Sequence, residues 1–317
     1  MNEDTRPLMV TIRCITYNHE PYIRQCLEGF VMQETNFRFE AIVHDDASTD
    51  GTAAIVREFA EKYPDIIKPI FETENQYSKH DGSLRRIMDE HTHGKYVAFC
   101  EGDDYWTDSL KLQKQVDYME RHPQYLMCYG KCRYYYEKND MLSKYTYGGD
   151  SVTFEQLLCG NTIPTLTVLY KKEIESRYQE EIIPCSKHWK MGDYPRWLYI
   201  AHKGKIGFMQ DEFGVYRILQ NSASHCLDEK KSEDFIRGTF EIAKFYAEYF
   251  KVPHLYDENY LLKALFSSAI QFGNRNKAKY LYRKIKKPSI KMRIKYFIIQ
   301  SNLLYNSLKN KLFYTQL

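Results

Sequence analysis

The sequence predicts an α/β protein: a mostly parallel sheet flanked by helices, with a helical, basic C-terminal appendage. Three observations carry this. Over residues 1–105, short apolar runs alternate with stretches of helical periodicity at βαβ spacing. The runs Met9 to Ile15, Phe39 to Val43 and Tyr96 to Cys100 each end in polar residues, as buried strands do at the edge of an open sheet where ligands bind. From Asn259 to Leu317 there are 13 Lys or Arg and no Asp or Glu, against 32 basic and 42 acidic side chains before them.

The first strand opens into Thr16-Tyr17-Asn18-His19-Glu20-Pro21-Tyr22 and a helix from Ile23 to Met32. The second runs into His44-Asp45-Asp46-Ala47-Ser48-Thr49-Asp50-Gly51-Thr52, then a helix from Ala53 to Tyr63 with Ile55, Val56, Phe59 and Ala60 at helical spacing. Ser48, Thr49 or Asp50 suits the cap of that helix, but capping leaves the pair Asp45-Asp46 unexplained. The third strand ends in Glu101-Gly102-Asp103-Asp104, three carboxylates within four residues. Their mutual repulsion is relieved by a hard divalent cation such as Mg²⁺ or Mn²⁺, which completes its shell with water and substrate phosphates. The alternative is a turn, or the cap of a helix near Thr107-Asp108. An aromatic, a carboxylate and an acidic cluster at three strand ends together describe a nucleotide-diphosphate site.

Further along, the pattern gives a helix over 108–122, strand-like stretches Tyr125 to Tyr136 and Thr165 to Tyr170, and a polar loop near Tyr145 to Asp150. A strand-like Lys205 to Met209 follows. Helices include Glu233 to Phe250 and Tyr256 to Phe272, with a break at Pro288.

Ile15-Thr16-Tyr17-Asn18, the run Asp45 to Thr52 and the run Gly94 to Asp104 resemble, in order and spacing, the signature blocks of family 2 glycosyltransferases. These are inverting enzymes of the GT-A, Rossmann-like fold, and the resemblance is strong over residues 9–135. It implies that Tyr17 packs on the nucleotide base, with Thr16 and Asn18 in the same block. Asp46 would read the base beside Asp45. Asp104 would bind the metal, with Asp103 nearer the ribose and donor sugar. Many members carry aspartate where this chain has Glu101, which leaves Glu101 as either a ligand or a solvated acid.

Inversion needs a base that takes the proton of the acceptor hydroxyl as it attacks the anomeric carbon. The family draws it from a carboxylate ahead of a tryptophan-bearing helix, and Gly192-Asp193-Tyr194-Pro195-Arg196-Trp197 matches, with Asp193 in the base position. Capping of the helix Tyr194 to Lys203 is the alternative or concurrent role. Trp197 reads as core. The segment Gly214 to His225 resembles a loop that closes over the diphosphate. There Arg217 would contact phosphate and His225 would coordinate the metal, unless Arg217 pairs with a carboxylate and His225 is structural. Arg85 and Arg86 either face the phosphates or lie exposed. The strand and helix pattern gives a catalytic domain over 1–227, with a nucleotide half to about 105 and an acceptor half beyond it. By the resemblance, its partners would be a nucleotide-sugar donor, UDP-sugar foremost, and a glycan or lipid-linked acceptor.

Composition bounds the rest. The 317 residues, 43% hydrophobic and 27% charged, fit a soluble globular chain. Eight scattered cysteines without a CxxC pair read as core thiols in a reducing compartment, and Cys128 with Cys132 lacks the second pair that zinc needs. Met1 to Pro7 carries no apolar signal region, so the expected location is cytoplasmic, peripheral at the inner face of the plasma membrane. The basic region interleaves charge with apolar residues. It suits an anionic membrane surface over 288–317, or else a helical hairpin with a solvated face. No nucleic-acid module accompanies it. A nucleotidyltransferase would want a Gly-rich phosphate loop, and residues 8–22 contain no glycine. An inactive binding module would be expected to lose one of Asp46, Asp104 and Asp193, yet all three are present.

Overall fold

The computed structural model describes residues 5–150, 152–186, 189, 191–219, 228–252 and 258–314. Among them, nine strands form one sheet: β1 (Leu8–Thr16), β2 (Arg38–Asp45), β3 (Ile67–Phe71), β4 (Tyr96–Phe99), β5 (Tyr105–Trp106), β6 (Tyr125–Tyr136), β7 (Met141–Tyr147), β8 (Leu169–Lys171) and β9 (Lys205–Ile218). The order is β3-β2-β1-β4-β8-β6-β9-β5, with β7 paired to β6. The stretch β3-β2-β1-β4 is parallel, and the strands beyond β4 add antiparallel pairs. Helices α1 (Ile23–Val31), α2 (Thr52–Lys62), α3 (Ser83–Glu90), α4 (Lys111–Arg121), α5 (Phe154–Leu158), α6 (Ile174–Glu181) and α7 (Asp193–Lys203) fall between strands. After β9 come α8 (Glu229–Tyr249), α9 (Glu258–Gln271), α10 (Arg275–Lys284), α11 (Ile290–Gln300) and α12 (Asn302–Tyr314).

The chain divides into two compact units. The first comprises Met1–Thr153, Thr162–Lys187 and Tyr199–Arg217 and holds the sheet. Its central strands are buried on both faces, which is why β1 and β2 read as near-continuous apolar runs. Val10, Ile12 and Cys14 of β1 pack with Ala41 and Val43 of β2, Ala98 of β4 and the α1 residues Ile23, Cys26, Leu27 and Phe30. On the other face of β1, buried Arg13 pairs with Asp89 at 2.9 Å and donates from Nε to Thr92 Oγ1 at 2.8 Å. A charge removed from water requires such partners. Three thiols meet behind the third strand end: Cys14 and Cys26 lie 4.0 Å apart, and Cys26 Sγ donates to the Glu101 carbonyl at 3.4 Å. Burial pushes the Cys26 thiol well up and that of Cys100 to about 11.

The second unit comprises Phe154–Asn161, His188–Leu198 and Ile218–Leu317. Its core joins Leu265, Phe266, Ala269 and Ile270 of α9 to Ala278 and Leu281 of α10 and Ile299 of α11. Asp228, Asn274 and Ser289 cap α8, α10 and α11 by accepting from the backbone N–H of Lys231, Lys277 and Met292. Pro288 falls in the gap between α10 and α11, where the sequence places a break.

Three expectations change. The polar loop near Tyr145 starts as strand: β7 reaches Tyr147, anchored by Tyr134 stacking on Tyr147 with ring centroids 4.9 Å apart. The strand from Lys205 does not stop at Met209 but runs to Ile218, so the segment expected as a loop from Gly214 is sheet as far as Ile218. Residues 220–227, including His225, lie outside the described residues. Among the described residues no helix is long and apolar enough to cross a membrane.

Candidate functional site

Register builds the site. β1 pairs β2 so that Thr16 lies beside Asp45 at the carboxyl edge, and β4 lies beside β1 with Phe99 level with Arg13. The chain leaving β4 therefore runs along the end of β1, where Gly102 N–H donates to the Ile15 carbonyl at 3.0 Å. A Cβ at Gly102 would sit 2.6 Å from Thr16 Oγ1 and 2.9 Å from His19 Nδ1, so no side chain fits there. The sheet thus brings Thr16, Asp45 and Asp103-Asp104 to one edge.

Two loops are lashed together over that edge. Asn18, at φ 54°, donates its N–H to Ser48 Oγ at 2.8 Å, and its Oδ1 accepts from Thr49 N–H at 2.8 Å. The left-handed backbone at Asn18 suits asparagine, while Ala47 at φ 65° holds the same region at a cost. Tyr17 keeps its ring exposed, as a stacking platform would.

The neighbouring aspartates differ. Both Asp46 oxygens accept backbone N–H groups, from Gln76 at 2.6 Å and Tyr77 at 3.0 Å, so the residue expected to read the base also clamps the turn after β3. Asp45 is buried, and its Oδ1 has no hydrogen-bond partner; Thr16 Oγ1 and His19 Nδ1 are likewise buried and unpartnered. Buried polar atoms left without partners call for an explanation, and a ligand at this edge would supply one. Burial holds the His19 imidazole below its usual value, against the pull of Asp103, Asp50 and Asp45. The motif blocks assign His19 no role; its place directly after Tyr17-Asn18 is the available signal.

Asp104 is 4% exposed. Burial raises its carboxyl well above the ordinary value, Asp103 and Glu101 push the same way, and a hydrogen bond from Arg217 opposes them. Such a carboxylate is short of positive charge, and its donor atoms are the hard oxygens that Mn²⁺ or Mg²⁺ prefers. Among the described residues no three His, Cys, Asp or Glu side chains form a ready cluster. A cation held here would take one or two carboxylates from the protein and the rest of its shell from diphosphate and water.

Arg217, expected on phosphate, is buried and engaged by protein. Its Nε donates to the Asp103 carbonyl at 2.8 Å, Nη2 to Gln25 Oε1 at 2.7 Å, and Nη1 lies 3.4 Å from Glu137 Oε2. The rings of Tyr22, Tyr105 and Tyr135 surround it at 4.8, 5.3 and 5.3 Å. Arg85 pairs with Asp89 at 3.2 Å, and Arg86 donates to the Asp81 carbonyl at 2.9 Å.

In the second unit, α7 begins at Asp193 itself, so this carboxylate stands in the first turn, where the helix dipole favours negative charge. Among the described residues nothing lies within 4 Å of where a Cβ at Gly192 would stand. Tyr194 donates to the Leu157 carbonyl at 2.8 Å, and Trp197 is fully buried, as core.

Residues 11–193 match the family described as glycosyl transferase family 2. An uncharacterized protein of Mycobacterium tuberculosis is 36% identical over 216 residues, 66% of this chain and 58% of the relative. The match thus spans little more than half of that relative's length. The UDP-Glc:alpha-D-GlcNAc-diphosphoundecaprenol beta-1,3-glucosyltransferase WfgD of Escherichia coli is 25% identical over 278 residues, 85% of this chain and 98% of the relative. Among solved structures, the mannosyltransferase PcManGT of Pyrobaculum calidifontis, in complex with GDP-Man and Mn²⁺, superposes with a TM-score of 0.57 at 18% identity. That match covers 96% of this chain and 88% of the other. It is a likeness of fold, and the fold is the one the sequence motifs imply.

Proposed function

The chain belongs to glycosyl transferase family 2, and from that premise we propose a metal-dependent, inverting transfer of a sugar from a nucleotide-diphosphate donor, UDP-sugar foremost. The acceptor is a hydroxyl of a glycan or lipid-linked oligosaccharide in cell-surface polysaccharide synthesis. The observation that carries this reading is the carboxyl edge, where Thr16, Asp45 and Asp103-Asp104 converge and buried polar atoms lack partners. The similarity to WfgD, whose name specifies UDP-Glc and a diphosphoundecaprenol-linked acceptor, supports the choice of nucleotide and of a lipid-linked acceptor.

In this reading Tyr17 stacks on the base, Thr16 and Asn18 shape its pocket, and Asp45 and Asp46 accept from base and sugar. Asp103 faces the ribose and donor sugar. Asp104 and Asp103 hold Mn²⁺ or Mg²⁺, with His225 a further ligand on sequence grounds alone. The ion, when bound, neutralises charge on the departing diphosphate. Asp193 takes the proton from the acceptor hydroxyl. The catalytic region spans 1–227, and the helical basic region 228–317 places the protein peripherally at the inner face of the plasma membrane.

The test is incubation of the purified protein with a panel of nucleotide-sugars and Mn²⁺, following slow donor hydrolysis. Release of one nucleoside diphosphate, abolished by EDTA, is expected. No binding or hydrolysis of any nucleotide-sugar sinks the reading, and a product with retained anomeric configuration sinks its inverting part.

A further inference from the structure

We propose that one face of α11 inserts into an anionic lipid surface, with Ile290, Ile294 and Phe297 entering the acyl boundary and the flanking cations meeting the headgroups. The inference rests on the peripheral placement proposed above and specifies which side chains produce it.

The helix α11 is apolar on two sides. One side is used: Ile298 and Ile299 are buried, and Tyr296 stacks on Tyr282 of α10 with ring centroids 3.8 Å apart and planes 8° apart. At about 100° per residue, Ile290, Ile294 and Phe297 fall within one arc of about 60°. They are 75%, 54% and 66% exposed, and Leu303 on α12 is 81% exposed. A helix that had only to cover a core would turn such residues inward.

Charge identifies the occupant. Lys291 and Arg293 are exposed on either flank of the stripe, and the region from Asn259 to Leu317 carries 13 cations and no carboxylate. A partner must therefore be apolar at its centre and negative around it, which an anionic bilayer interface is. A second copy of this chain would press one all-basic region against another, and a nucleic-acid duplex keeps its base faces stacked inside and offers the aliphatic stripe mainly phosphate and sugar. A helix of 11 residues is too short to span a bilayer, so the geometry is one of lying in the interface.

The test uses full-length protein and vesicles of phosphatidylcholine, with and without phosphatidylglycerol, in a flotation assay at low and high salt without any substrate. Wild type should float with the phosphatidylglycerol vesicles at low salt and be released at high salt. The variant Ile290→Ser/Ile294→Ser/Phe297→Ser should bind about tenfold or more weakly, with unchanged melting temperature and helical content. A separate Phe297→Trp variant should shift its fluorescence to the blue on vesicle addition. Equal flotation of wild type and the triple variant overturns the proposal, as does no flotation, or an unshifted tryptophan. A dimer that the triple variant dissolves would assign the face to a second copy and also overturn it. Donor hydrolysis is measured without lipid, so failure of the glycosyltransferase reading and failure of this one are separate results.

Discussion

The backbone N–H of Arg217 donates to Asp104 Oδ1 at 2.8 Å, joining residues 113 apart in sequence. The same residue's guanidinium holds the Asp103 carbonyl at 2.8 Å, so the end of β9 fixes both the peptide and the carboxylate of the acidic turn. With these contacts Arg217 is expected to act by holding the acidic turn in place.

Asp104→Asn should abolish the gain in UDP affinity that Mn²⁺ confers, with the fold retained. Arg217→Lys keeps the charge but loses the fork and the ring contacts. It should weaken the Mn²⁺-dependent part by about 1.5–3 kcal/mol, the range for a lost hydrogen bond involving a charged group. Calorimetric titration of UDP in Mn²⁺ and in EDTA checks both. An equal loss for Arg217→Lys in EDTA would return its guanidinium to the phosphates.

Asp193→Asn should bind donor as wild type does yet lose transfer by about 10²–10⁴-fold, because a general base acts on the acceptor proton alone. Donor titration beside single-turnover transfer to an acceptor reads the split. Undiminished transfer eliminates Asp193 as base.

Asp46→Asn should cost about 1–3 kcal/mol of stability in urea unfolding, since one amide oxygen cannot serve both Gln76 and Tyr77 N–H groups. Asp45→Asn should cost less stability while weakening UDP binding, because its Oδ1 has no protein partner to lose. If the two variants destabilise alike, the division of labour between these aspartates is wrong.

Lys111 is fully buried beneath β5, donating to Gln115 Oε1 at 2.7 Å with Nζ 4.0 Å from the Trp106 ring centre. Burial lowers its amine from 10.5 to about 7, opposed by Cys128, Cys100 and Asp108. Between those values the unfolded chain keeps a proton that the folded chain has released. Stability from this group therefore rises with pH across that window, and the penalty is largest below about 7. Urea midpoints at several pH values should show that slope in wild type and a flatter one in Lys111→Met. Parallel slopes would mean that the folded protein keeps its amine charged.

The parallel half of the fold was legible because its strands are buried on both faces: apolar runs with polar ends can be little else in a βαβ chain. Its carboxyl edge was legible for the same reason, since each acidic pair sits where a run stops. What stayed hidden depended on partners distant in sequence. The polar run Gln210-Asp211-Glu212 carries no apolar strand pattern, yet β9 runs through it, with Lys114 paired to Asp211 at 3.1 Å and Arg133 to Glu212 at 2.8 Å. The clamp of Asp46 on residues 76 and 77 and the enclosure of Arg217 by three tyrosines leave no local pattern. The apolar face of α11 was visible as composition, but only the packing of Tyr296 and Ile299 reveals which face is left over.

The three buried thiols behind the acidic turn have a practical consequence. Cys159 and Cys185 are exposed, whereas Cys14, Cys26 and Cys100 are sealed in. Burial keeps the Cys26 and Cys100 protons in place, so an alkylating reagent can reach those two sulfurs only when the turn lifts away from α1. A pulse of iodoacetamide followed by mass spectrometry would then time that opening directly, with the two outer cysteines as the internal clock. Slower modification at Cys100 when nucleotide and Mn²⁺ are added would measure how firmly the ligands shut the turn, without an artificial label.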